Sequence, residues 1–372
     1  MNLAWFVSIL LIFSLVFGHI PNIMLNHFFG LNIPFYLYDI VIFIIFITSL
    51  FLNKYRNINL DIGLISFFVF NLFLIFFNFK YLVSLSSFVY LLRICMYIAS
   101  YPFFSYLFKK TNLLKSFFYN LSFFLILPSL LIFLVYPNLN LVGYDPHQFR
   151  LYGPFFDPNL YSVFLVILLI FNLYGNYKNK MILVLLFLNI VSVFLTFSRL
   201  GVILCLVVLF LYIVKEKKYY FITGLFGLVT LLFANTRYLM RFLLVDGNFD
   251  SFFYRILSYF EGFRIYSLSV VPTGFNNISI YKTFISSSIN HATSYTDSFI
   301  LNLLLTGGLI NLGFIFALLI FVILNNKKSY INIIIIVLIL SSFIINTFFH
   351  PYFLIIMTTL IALSVYKPTK VQ

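Results

Sequence analysis

Apolar residues gather into runs at about 3–18, 35–52, 60–78, 82–107, 115–136, 158–175, 181–198, 200–214, 219–235, 298–324, 330–348 and 351–366. Most are long enough to cross about 30 Å of hydrocarbon as helices. The shorter ones need flanking aromatic or polar residues to complete a crossing. Pro102 and Pro128 fall inside runs and predict kinks, because proline lacks the N–H that a helix interior uses. The pattern predicts an all-α fold, a polytopic transmembrane helical bundle of about twelve spans. It leaves no room for a separate soluble domain, so residues 1–372 form one integral membrane domain.

One long connection, 236–296, interrupts the series. Within it Phe249, Phe252, Phe253, Ile256, Leu257, Phe260 and Phe263 recur at helical spacing. That predicts an amphipathic helix, lying on the membrane or capping the bundle. Asp250, Arg255 and Glu261 form its polar side, and Pro272 with Gly274 ends the pattern in a turn.

Composition points the same way. The 372 residues are 63% hydrophobic and 9% charged, with a mean hydropathy of +1.08. Soluble domains carry about 25% charged residues, so a soluble protein is excluded. The first run, Leu3–Phe17, has no basic segment before it and no small-residue cleavage site. It reads as a retained span and not a signal peptide. Cys95 and Cys205 lie inside apolar runs and read as small core residues, not a disulfide framework.

The net charge of +14 first reports topology, and only secondarily a nucleic-acid or acidic-lipid partner. With the N-terminus in the cytoplasm and alternating spans, 14 of the 23 basic residues face inward and the C-terminus returns inside. The residue types then separate. Thirteen of fifteen Lys face inward. Six of eight Arg (Arg150, Arg199, Arg237, Arg241, Arg255, Arg264) and all five His (His19, His27, His147, His291, His350) face outward. Arg is the side chain that clamps phosphate with two parallel hydrogen bonds, so chemistry is expected at the outer face. The alternative for each outer Arg is plain contact with lipid headgroups.

Three stretches carry candidate chemistry. The first is Arg150-Leu-Tyr-Gly153-Pro-Phe-Phe-Asp157-Pro158-Asn159, an outer loop opening a span. The second is Thr196-Phe-Ser198-Arg199-Leu-Gly201, a tight outer hairpin. The third runs from Arg255 through Pro272-Thr-Gly274 to His291 and Thr296-Asp297-Ser298, then into a span with Gly307-Gly308-Leu-Ile-Asn-Leu-Gly313. The glycine pair is expected to permit close helix packing. Asp145 and His147 are too few ligands for a metal, and no phosphate-cradling glycine loop is present.

In order, side and spacing, these stretches resemble the O-antigen polymerase and O-antigen ligase superfamily of bacterial membrane glycosyltransferases. The motifs cover roughly 145–315, and the span pattern covers the whole chain. Ligase-like members place a His beside an Asn where the long loop re-enters the membrane. Here Thr296-Asp297-Ser298 stands there, which looks more like the polymerase (Wzy-type) branch.

The resemblance implies transfer of a glycan from undecaprenyl diphosphate to a hydroxyl of another lipid-linked repeat unit. It places the reaction at the periplasmic face of the inner membrane, without metal or other cofactor. It further implies membrane lipid, a flippase and a chain-length regulator as partners, and no nucleic acid. Arg199 is expected to stabilise the leaving diphosphate, with Arg150, Arg255 and Arg264 as further phosphate or glycan ligands. His291 and Asp297 are the candidate bases, although Asp297 equally suits a helix N-cap. Asp157 carries the same ambiguity, since Pro158 suits a first helical turn. Arg93, inside a span, has Asp39, Asp61 or the lipid carrier as alternative partners. Rival functions are the ligase that joins polymer to the lipid core, and a flippase or transporter.

Overall fold

The computed structural model describes residues 3–18, 36–78, 85–108, 111–136, 150–155, 157–175, 181–216, 259–260, 263–264, 298–326 and 328–365. Among them no strand occurs, and the fold is all-α. The helices are α1 (Leu3–Phe17), α2 (Leu37–Leu50), α3 (Ile58–Phe77), α4 (Leu85–Ala99), α5 (Tyr101–Phe108) and α6 (Thr111–Val135). They continue with α7 (Pro158–Leu173), α8 (Met181–Leu195), α9 (Arg199–Glu216), α10 (Phe299–Asn325), α11 (Ser329–Ser342) and α12 (Pro351–Val365). The run at 219–235 lies outside the described residues.

Four stretches among the described residues are long and apolar enough to cross a membrane: Ile58–Phe77, Ser87–Phe108, Leu113–Val135 and Phe299–Asn325. The exposed side of α3 presents Ile58, Ile62, Ile65, Val69, Phe73 and Phe76, a face suited to lipid and not to water. The fold is compatible with a helical membrane protein. The other helices are 14–18 residues long apart from the α4–α5 pair, so flanking turns must complete any crossing they make.

Of the two prolines inside apolar runs, one parts its helix and the other lies within a continuous one. Pro102 has no N–H, and the helix parts just before it. Ser100 N–H turns back to the Tyr97 carbonyl at 3.1 Å, and α5 starts afresh at Tyr101. Pro128 lies inside α6, which runs on without a break. The run at 330–348 is not one helix. Ser341 and Ser342 hydroxyls fold back on the Leu338 carbonyl (3.0 and 2.6 Å), α11 stops, and Thr347–Phe349 forms a 3-10 turn before Pro351 opens α12. The Gly307–Gly308 pair marks a further interruption. Gly308 takes φ +64°, ψ −164° and breaks α10.

The chain divides into two compact units, Met1–Leu114 with Phe253–Gln372, and Lys115–Phe252. Each is built around one helix that is apolar on all sides and therefore buried. In the first unit that helix is α12, packed on α4, α5 and α10. In the second it is α7, packed on α8 and α9.

Candidate functional site

The first two candidate stretches meet in the second unit. Thr196 closes α8 by donating its hydroxyl to the Val193 carbonyl at 2.6 Å. Phe197 then takes a left-handed backbone, φ +51°, which reverses the chain within one residue. Ser198 starts α9, accepting the Gly201 N–H on its Oγ at 3.3 Å. Arg199 is the first residue of α9. Gly201 has no room for a side chain, since a Cβ there would overlap Ser162 on α7. The starts of α7 and α9 therefore lie against each other.

The Arg150 stretch is strapped onto this turn. Leu151 N–H donates to the Leu195 carbonyl at 2.9 Å. Arg150 Nε donates to the Thr196 carbonyl at 3.0 Å, and its Nη2 donates to Asn159 Oδ1 at 3.3 Å. Gly153 adopts φ +54°, and a Cβ there would come within 2.7 Å of the Tyr161 ring. Phe155 then packs on Tyr161 and Phe164, with ring centroids at 5.5 and 5.2 Å. Asp157 is the N-cap of α7. Its Oδ1 accepts the Asn159 N–H at 2.7 Å and the Leu160 N–H at 3.2 Å, with Pro158 in the first turn.

Electrostatics favour an anion here. Each helix start carries about half a positive charge, and two starts adjoin. Arg199 adds a full charge in a first turn, where a cation is disfavoured by roughly 0.3–1 kcal/mol. Arg150 adds another beside the end of α8. Asp157 and the end of α8 bring opposite charge, and the balance stays positive. Burial pushes the Tyr152 phenol above its ordinary range, so it stays a neutral hydroxyl. Helix starts plus guanidinium groups are suited to phosphate oxygens.

The other predicted residues do not all join this place. Arg93 belongs to the first unit, where its Nε and Nη2 reach Asp39 Oδ1 and Oδ2 at 3.1 and 2.7 Å. Tyr97 donates its hydroxyl to the same carboxylate at 3.0 Å, and the guanidinium lies 5.2 Å from the centroids of both Tyr36 and Tyr90. Asp61, the alternative partner, instead holds Arg56 at 3.6 Å and the Tyr101 hydroxyl at 3.1 Å. Arg264 is exposed, also in the first unit. Arg255, His291 and Asp297 lie outside the described residues. The N-cap of α10 is Ser298, whose Oγ accepts the Leu301 N–H at 3.2 Å, so the cap suggested for Asp297 falls one residue later.

Tyr97 was not singled out from the sequence, although it stands four residues after Arg93 and so on the same helix face. Nor was the amide pair Asn71–Asn311, fully buried between α3 and α10. Asparagine within an apolar run was the available signal. Among the described residues no group of three metal-ligating side chains occurs. No protein-family description, no characterised protein and no solved structure matches the chain.

Proposed function

We propose that this chain is a bacterial surface-polysaccharide polymerase of the O-antigen type. It spans the inner membrane about twelve times, with both termini cytoplasmic and its active site facing the periplasm. The observation that carries the reading is Arg199, held at the start of α9 where a second helix start and Arg150 converge. The motif resemblance supplies the substrate class, a glycan on undecaprenyl diphosphate.

In the proposed reaction the bond from the glycan's anomeric carbon to the diphosphate oxygen breaks. A hydroxyl oxygen of another lipid-linked repeat unit forms the new bond, and its proton passes to a base, with His291 and Asp297 the candidates. The electron pair leaves with undecaprenyl diphosphate. Arg199 stabilises the charge that builds on that leaving group, and Arg150 holds the turn that presents it. A flippase supplies the substrate and a chain-length regulator acts on the product.

The test is a glycan gel of the gene-deleted strain beside its parent, with lipid-linked intermediates extracted. A single repeat unit on the lipid core supports the polymerase. Long polymer accumulating on the polyprenyl carrier would make the chain the ligase instead. Single repeats trapped facing the cytoplasm would make it a flippase, and an unchanged ladder removes all three readings for that glycan. The transporter reading has an observation of its own: a broken helix with buried amides near its middle, at Gly308 and Asn311, is a feature of transporter substrate sites.

A further inference from the structure

The longest described helix, α10, is broken near its middle, and three features meet at the break. Gly308 has φ +64°, ψ −164°, a conformation essentially reserved for glycine. Gly307 cannot carry a side chain, because a Cβ would occupy the place of the Asn311 amide. That amide turns across to α3 and exchanges two hydrogen bonds with Asn71. Asn71 Nδ2 donates to Asn311 Oδ1 at 2.8 Å, and Asn311 Nδ2 donates to Asn71 Oδ1 at 2.6 Å. Both residues are fully buried, and Asn71 Nδ2 also reaches the Phe67 carbonyl at 2.9 Å.

The two halves of α10 are held by different neighbours. Below the break, Phe314 stacks on Phe67 of α3 with centroids at 4.3 Å, beside the amide pair. Above it, Phe299 packs on Phe348 and Phe349 at 4.9 and 5.1 Å, and Ser298 Oγ donates to the Ser342 carbonyl at 3.3 Å. Thr306, just before the break, returns its hydroxyl to the Asn302 carbonyl at 2.8 Å.

An apolar helix in a membrane interior gains nothing from an irregular backbone and a buried amide pair, since each polar group there needs a partner. Glycine pairs and freed helix turns are where helices bend, and small rotations between packed groups are the usual form of a switch.

We propose that α10 is a two-position element. Phe299–Gly307 pivots about Gly308 together with the 342–349 turn, while Leu309–Asn325 stays clasped to α3 through Asn71 and Asn311. The pivot is independent of the chemistry at Arg199.

The test places spin labels on the full chain in lipid nanodiscs, in a background carrying Cys95→Ala and Cys205→Ala. Labels at Ile65 and Ile300 span the break, and labels at Ile65 and Ile320 do not. The expected result is two resolved distances for the first pair and one for the second. Replacing both amides, Asn71→Leu with Asn311→Leu, removes the clasp without leaving an unpaired polar group. It is expected to give the Ile65–Ile320 pair a second distance, or to change the ratio of the two Ile65–Ile300 distances by about tenfold, the scale of two buried hydrogen bonds. Gly308→Ala is expected to leave one Ile65–Ile300 distance. A single Ile65–Ile300 distance in the parent chain, unmoved by the double Leu variant, overturns the proposal whether or not Gly308→Ala folds.

Discussion

Arg93 closes on Asp39 with two parallel hydrogen bonds, at 3.1 and 2.7 Å, and joins α4 to α2 inside the first unit. The Arg93 side chain is 4% exposed and that of Asp39 13%. Such a pair is costly to form in a medium of low polarity and more costly to break. Asp39→Asn leaves a buried guanidinium without its counter-charge. The expected loss is about 3–5 kcal/mol, enough to remove folded protein from the membrane fraction. Asp39→Leu with Arg93→Met removes both charges and is expected to restore much of the protein level. Equal losses in the single and double variants would mean that the pair does not hold α2 to α4.

Asp157 tests whether a conspicuous carboxylate is a cap or a ligand. Its Oδ1 accepts two N–H groups at the start of α7, so hydrogen-bond acceptance is the property in use. Asn accepts in the same way, whereas Ala does not. Asp157→Ala is expected to cost roughly 0.5–2 kcal/mol, and Asp157→Asn much less. Thermal melts of the two purified variants measure this. A polymer ladder lost in Asp157→Asn at normal stability would show that the negative charge itself is required.

Much of the fold was legible because long apolar runs leave few choices. Apolar runs become helices, Pro102 parts one of them, and Asp157-Pro158 begins another. Other features turned on contacts that spacing cannot display. Asp39 and Asp61 were equal partners for Arg93 until α3 placed Asp61 beside Arg56 and Tyr101. Asn71 and Asn311 are 240 residues apart and meet only once α3 and α10 pack. The end of α11 depends on two serine hydroxyls that compete with the helix's own hydrogen bonds, a local effect hidden inside an apolar run. At the candidate site, Arg150 and Arg199 were legible as candidate ligands in two separate stretches. That Arg150 is engaged by Thr196 was not.

Gly201 and Ser162 fix how closely the starts of α7 and α9 approach. Gly201→Ala introduces a methyl group where Ser162 already stands. Overpacking of this kind costs roughly 1–3 kcal/mol and pushes the helices apart. Adding Ser162→Gly opens the space again, so the double variant is expected to regain most of the melting temperature lost by Gly201→Ala. Additive losses would mean that the two positions are not in contact.

Arg150 and Arg199 lie close in the chain's fold yet are expected to fail in opposite ways. Arg150 bonds the Thr196 carbonyl and Asn159, so its role is to hold the turn. Arg199 begins a helix, where its charge opposes the helix dipole and a bound anion would reverse the penalty. Arg150→Gln keeps a hydrogen-bond donor but loses the fork. It is expected to lower stability by about 1–2 kcal/mol while some polymer is still made. Arg199→Ala is expected to leave protein level intact while abolishing polymer. Arg199→Lys, a point charge without the planar fork, is expected to recover only part of the product. Glycan gels beside membrane-fraction immunoblots separate the two behaviours. Full-length polymer from Arg199→Ala would leave the anion-binding face of α7 and α9 without its proposed role.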